Sequence, residues 1–247
     1  MITNSLLKGK GLIKYTLILA IAGLSTVLTS CMKNNDTNPV VTDVAALSIV
    51  NLSPTSKLLN ISFDAKRLNN AGIPYLQGFP YIGAATGSRT VAVSDNGTGT
   101  ELAKKTISLV KDTYYSLYIV GLGTSATDSV SFVLTKDSLR TPASGKARVR
   151  FLHAAQGIAP LDLTVDGQTT SLFTNRPYKS VSDFTEIAPI TGGVLVIKDK
   201  GTGAVVARLE NVNIPAGNSY TIFAKGSSAA TINDQKVGIQ IINHSTL

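Results

Sequence analysis

Two histidines, eight tyrosines and a lone cysteine are the side chains best equipped for chemistry in this 247-residue chain. His153 closes an apolar run, Ala147 to His153, three residues after Arg150. An imidazole that titrates near neutral pH can serve as acid, base or metal ligand. Here it has no partner at a useful spacing, because neither H-E-x-x-H nor G-x-S-x-G occurs. His153 is therefore read as a side chain that hydrogen-bonds a nearby loop, and Asn51 stands at the matching place earlier in the chain. His244, near the C-terminus, is read as solvated. Asp162 and Asp166 fall on one face of a strand, roughly 13 Å apart. Loop carbonyls would have to join them to hold calcium, and the alternation of their strand places them on its solvent face. These patterns predict no catalytic residue, no metal ligand and no cofactor.

The tyrosines divide into two kinds. Tyr114 and Tyr118 share one face of a strand, opposite Tyr115. Aromatic faces stack on sugar rings, so this pair is a candidate glycan contact, although tryptophan is absent. Tyr115 and Tyr220 each enter a strand after an apolar residue and a turn, as in Ile214-Pro215-Ala216-Gly217-Asn218-Ser219-Tyr220. That arrangement matches a tyrosine corner, whose hydroxyl bonds back to upstream backbone.

Cys31 has a different chemistry. Lys8, Lys10 and Lys14 precede an uncharged apolar run from Tyr15 to Leu28, the pattern of an export signal. Leu28-Thr29-Ser30-Cys31 at its end resembles the bacterial lipobox, in which the cysteine is lipidated and becomes the first residue. Each buried methylene of an acyl chain contributes about 0.8 kcal/mol, so several chains anchor permanently. The expected organisation starts with a signal peptide over 1–30 and a lipidated tether over 31–43, polar and proline-bearing. Lys33 and Asp36 only partly match the residues that follow the cysteine in surface-exported lipoproteins. The expected location is the cell envelope, with the outer membrane favoured and the periplasmic or surface face left open.

What must position these residues is a duplicated unit. Ala45 to Asn51 aligns with Ala147 to His153, and at the same offset of 102 Leu59 to Asp64 aligns with Leu161 to Asp166. Pro80-Tyr81 is matched to Pro177-Tyr178, Gly97-Thr98-Gly99 to Gly201-Thr202-Gly203, and Leu109–Gly121 to Ile214–Gly226. Five blocks in one order predict two tandem domains, 44–139 and 147–247, with 140–146 as a Pro, Ser and Gly linker. Leu161, Leu163 and Val165 alternate with polar residues and run into Asp166-Gly167, a half-buried strand and its turn. In the first repeat Ala65 replaces that glycine and the turn is expected to be lost. The two Gly-Thr-Gly segments read as hairpins, because no helix follows to receive a phosphate. About seven short strands per repeat, with no helical periodicity, predict an all-β chain of two immunoglobulin-like antiparallel β-sandwich domains.

The A-x-V-x-F-x-H opening, the L-D-L-T-V-D-G strand, the Pro-Tyr block, the G-T-G turn and the I-P-A-G-N-S-Y-T entry strand resemble the domain of unknown function 4397 family. Its members are often secreted proteins or lipoproteins, sometimes with tandem copies. The resemblance runs over nearly all of 44–247 and is closer in the second repeat. It departs at Asp112, where the second repeat has Gly217. It implies a fold and export, and no chemistry.

Composition bounds the rest. One cysteine excludes an intrachain disulfide scaffold and a four-cysteine zinc site. Because Lys8, Lys10 and Lys14 belong to the leader, the net charge of +8 falls to +5 in the mature chain. Most of that excess lies beyond residue 140, without a dense basic run, so nucleic acid is not the expected partner. Two function classes remain: a non-catalytic structural or protein-interaction module, and a carbohydrate-binding accessory of a glycan uptake system. The expected partners are the membrane, through the lipid on Cys31, and an envelope protein or surface glycan.

Overall fold

The computed structural model describes residues 43–122 and 129–244. Cys31, its lipobox and the tether up to Thr42 lie outside them. Val41–Leu247 is one compact unit.

The first repeat contains β1 (Val44–Asn51), β2 (Leu59–Phe63), β3 (Lys66–Arg67), β4 (Gly78–Ala85), β5 (Gly87–Asp95), β6 (Glu101–Leu109), β7 (Tyr114–Val120) and β8 (Ser131–Asp137). The second contains β9 (Ala147–His153), β10 (Leu161–Val165), β11 (Phe173–Arg176), β12 (Thr185–Ile187), β13 (Ile190–Asp199), β14 (Val205–Ile214), β15 (Ser219–Lys225) and β16 (Gly238–Asn243). Each repeat makes an outer sheet, β3-β2-β5-β6 or β11-β10-β13-β14, and an inner sheet, β4-β1-β7-β8 or β12-β9-β15-β16. The two topologies are identical strand for strand, as a duplication requires. The all-β sandwich read from the sequence is what the chain forms, with eight strands in each repeat.

The sheets are not wholly antiparallel. β1 runs parallel to β7, and β9 to β15. Parallel neighbours need a long connection. The five strands β2 to β6, with four crossings between the sheets, provide it in the first repeat, and β10 to β14 in the second.

Two further expectations change. Pro80-Tyr81 is not the structural mate of Pro177-Tyr178; Pro74-Tyr75 is. Leu76 N–H bonds Asn51 O and Lys179 N–H bonds His153 O, and both residues adopt positive φ, 65° and 68°. Tyr81 instead corresponds to Phe184, since the residues that follow them, Ile82 and Thr185, pair with the corresponding Leu47 of β1 and Val149 of β9. A turn also closes at Asp64-Ala65 without a glycine, though of another type, since at Asp166-Gly167 only the glycine has positive φ. Asp64 and Ala65 both adopt positive φ, 48° and 65°, and join β2 to β3 directly. A close two-residue hairpin demands that conformation whatever the side chain.

The alternation along the inner strands sorts their side chains between two apolar layers. Leu47, Ile49, Leu117 and Ile119 meet Leu59, Ile61, Val91 and Val93 of the outer sheet in the first core. Val149, Phe151 and Ile222 meet Leu161, Leu163, Leu195 and Ile197 in the second. The intervening residues point away from both cores. Yet β9 is buried at all seven positions, and β7 at every position after Tyr114. Val50, Leu52, Tyr118 and Val120 pack there against Leu152, Ala154 and Phe223 in a third core. The inner sheets therefore cover each other, and the two repeats build a four-layer stack.

Candidate functional site

The seam between the inner sheets is where the charged residues converge. Strand β9 carries Arg148 and Arg150 at alternate positions, on the face that looks at the first repeat. Their counterparts on β1 are Ala46 and Ser48. Arg150 Nη1 lies 2.6 Å from Asp137 Oδ1, and both side chains are almost wholly buried. An ion pair so desolvated requires further hydrogen bonds to hold its charge. Asp137 has them: Thr135 Oγ1 donates to Oδ1, and Ser116 Oγ and Tyr81 Oη each donate to Oδ2 at 2.6 Å. Arg150 donates through Nε to Thr221 Oγ1 at 2.7 Å and through Nη2 to Tyr118 Oη at 2.9 Å. Its guanidinium also sits 4.7 Å from the Phe184 ring centroid.

His244 closes this set into a ring. The structure corrects the solvated reading: the imidazole is 5% exposed, between Thr221 Oγ1 at 2.7 Å from Nε2 and Tyr81 Oη at 2.9 Å from Nδ1. Thr221 Oγ1 accepts from Arg150 Nε and from Tyr118 Oη, so its proton goes to His244 Nε2. Tyr81 gives its own proton to Asp137 and so accepts from His244 Nδ1–H. The network assigns a neutral histidine with its proton on Nδ1. Burial, then the nearby charge of Arg150, depress the His244 pKa to about 4. Burial and Asp137 push the Tyr81 phenol far above its ordinary range, which keeps it a donor. His244 and Asp137 are themselves counterparts, since they lie opposite Ser219 and Tyr114, corresponding residues of β15 and β7. The duplication has thus placed unlike groups at paired positions and let them bond across the seam.

Other sequence candidates fall elsewhere. Tyr118 is 1% exposed and spent on Arg150, so it presents no ring to a sugar; the solvent face assumed for it is the seam. Tyr114, at the rim, remains 46% exposed and meets Tyr81 edge-on with centroids 5.1 Å apart. Tyr115 Oη accepts from Val110 N–H at 3.2 Å, and Tyr220 Oη donates to Pro215 O at 3.4 Å. His153 is fully buried and its Nε2 lies 3.2 Å from Ala159 O in the following loop. Asp162 and Asp166 pair separately with Lys200 and Arg208. The Gly-Thr-Gly segments are hairpin tips, in which Asp95 and Asp199 accept from the backbone of the next turn. Among the described residues no group of three or more His, Cys, Asp or Glu side chains could hold a metal ion.

Two hollows flank the seam. One, of about 640 Å³, lies between β8 and residues 179–184 and is lined by Lys136, Arg148, Lys179 and Phe184. The other, of about 500 Å³, brings together Tyr75, Leu76, Lys225 and Gln240. Leu76 corresponds to Lys179, so the first is the more cationic.

Residues 45–163, from β1 through most of β10, match the family described as "Domain of unknown function (DUF4397)". Over these residues the chain belongs to that family. The remainder of the second repeat shares its strand order. No curated protein matches the chain. One solved structure with some likeness is an α-glucan-binding streptococcal virulence factor, at 12% identity over 72% of this chain and 92% of that one, with a TM-score of 0.23. Another is a family 26 carbohydrate-binding module of Eubacterium rectale in complex with maltoheptaose, at 11% identity over 80% and 96%, with a TM-score of 0.24. A third is a putative polysaccharide-binding protein (DUF1812) of Bacteroides thetaiotaomicron, at 11% identity over 81% and 95%, with a TM-score of 0.22. TM-scores this low carry no argument about fold or ligand.

Proposed function

We propose that this protein is a non-catalytic, lipid-anchored module of the bacterial cell envelope, which presents two fused sandwich repeats as one rigid block for interaction. The observation that carries the reading is the seam. Asp137, Arg150, His244, Tyr81 and Thr221 satisfy one another in a closed ring, so this cluster of titratable groups is committed to holding the repeats together. His153 is likewise enclosed, with its pKa lowered by burial. A general base needs access to a substrate proton, and neither imidazole offers it.

Anchoring would come from the lipid on Cys31 at the end of its export signal, with the outer membrane as the favoured location and residues 31–43 as spacer. A carbohydrate-accessory role, the other class that the sequence admits, has only Tyr114 left of its proposed ring pair. The anchored-module reading is tested by Cys31→Ser. The unmodified chain should sediment with membranes and yield an N-terminal peptide heavier by its acyl groups, whereas the variant should be recovered in the soluble fraction. A variant that still sediments with membranes refutes the anchor, and substrate turnover lost on His153→Ala refutes the non-catalytic assignment.

A further inference from the structure

Among the described residues, Arg148 is a buried cation of the seam that makes no salt bridge. It is 4% exposed. Its Nη1 donates to the carbonyls of Ser138 and Arg140, and its Nε is buried with no acceptor. Glu186, the acid whose charge reaches it, is bridged to Arg140 at 3.3 Å and makes no salt bridge with Arg148. A desolvated guanidinium without a counter-charge is costly, and carbonyl oxygens offset only part of that cost. Arg148 lines the hollow of about 640 Å³ beside β8.

The same hollow has Lys136 and Lys179 at its wall and Phe184 beneath Arg148, whose guanidinium carbon is 4.9 Å from the ring centroid. Asp183, exposed at the rim, is its one acidic lining residue. Arg150 adds no net charge because Asp137 neutralises it. At the matching positions of the first repeat stand Ala46 and Leu76, so the cations belong to this hollow and not to the duplicated fold. The volume falls within the range of small-molecule sites and exceeds what a bare ion fills. Val133 and Val181 supply apolar wall for a ligand body.

We propose that this hollow is an oxyanion-binding site, in which Arg148 and Lys179 receive the carboxylate or phosphate group of a small organic ligand. The assignment goes beyond the anchored-module reading, which would stand if the hollow bound nothing. Guanidinium and oxyanion form the stronger, charge-assisted class of hydrogen bond, and the ligand would supply the direct ionic contact that Glu186, bridged to Arg140, does not make.

The experiment uses the compact unit 41–247, titrated with inorganic phosphate and separately with glucuronate, at an ionic strength held constant with chloride. Calorimetry and the thermal midpoint are the readouts. Saturable binding of either probe above the chloride control is expected, phosphate alone indicating a phosphate ligand and glucuronate alone a carboxylate. Arg148→Met should weaken that binding by about tenfold, the loss of one charged contact. Because Arg148 is buried, Lys179→Gly is the second variant. It removes a cation at a positive-φ site that glycine adopts without strain, so its unliganded midpoint should not fall. Its affinity should still drop by at least roughly threefold. Overturning results are the absence of saturable binding by either probe, or binding unchanged in both variants.

Discussion

Asp137 accepts from four side chains and Arg150 donates to three, so neither charge reaches water and neither lacks a partner. The sensitive member of the ring is His244. Protonating it would turn Nε2 into a donor facing Thr221 Oγ1, whose two acceptor positions are already occupied, and would add positive charge beside Arg150. The groups around it are Tyr81, Thr221, Phe184, Arg150 and Asp137, and that carboxylate, which favours the proton, is already committed to Arg150, while burial and the Arg150 charge outweigh it. Its folded pKa of about 4 lies below the ordinary 6.5. The unfolded chain therefore binds the proton first as the medium is acidified. The contribution to stability is complete above about pH 6.5 and lost as the pH falls towards 4, about 3 kcal/mol in all. Urea midpoints at pH 7 and pH 4.5 measure it: the parent should lose most of that amount, and His244→Asn should show a much shallower slope. Equal parental stability at the two pH values would contradict a neutral His244. The depressed carboxylates, Asp95, Asp166 and Asp199, start from 3.8 and titrate below this window.

At the scale of the elements, the turns show how far a strand pairing can impose conformation on a poor residue. Asp64-Ala65 and Asp166-Gly167 occupy the same place after corresponding strands, with φ of 65° at Ala65 and 78° at Gly167. An L-residue in the left-handed region costs roughly 1–2 kcal/mol, partly offset by the entropy that glycine loses on folding. Ala65→Gly is therefore expected to stabilise the chain by roughly 0.5–1 kcal/mol, and Gly167→Ala to destabilise it by a similar amount. Chemical denaturation of the two variants checks the pair, and opposite signs are required. The loss of this turn, inferred from Ala65, fails because the β2–β3 register outweighs a local preference. The Pro-Tyr misalignment has a similar root. Two Pro-Tyr pairs lie six residues apart in the first repeat, and only the backbone bonds from Leu76 and Lys179 to β1 and β9 tell them apart. The period-2 strands, the hairpin tips and the corner tyrosines were legible because each depends on neighbours in sequence.

For the whole molecule, the duplication and its sandwiches could be read from the chain, but the cover over their polar faces could not. Ser116, Tyr118, Arg150 and Thr221 alternate with core residues as solvent-facing side chains do, and only a second sheet laid on them makes them interior. The one available signal was Arg148 and Arg150 on β9, where the first repeat has Ala46 and Ser48. The covered face is also apolar in its middle: Val50, Leu52, Tyr118, Val120, Leu152, Ala154 and Phe223 are each at most 5% exposed. An interface with an apolar centre and a saturated ion pair should hold without covalent continuity. This can be tested at the exposed turn around Ser144-Gly145, by inserting a protease site and cutting the folded protein. The two halves should elute together at the size of the uncut chain and unfold in one transition. Arg150→Met would leave Asp137 buried without its cation, a loss of about 3–5 kcal/mol, and should let the cut halves separate. Halves that part readily without that substitution, each keeping its own strand signal and the midpoint of the intact protein, would make the repeats independent domains after all.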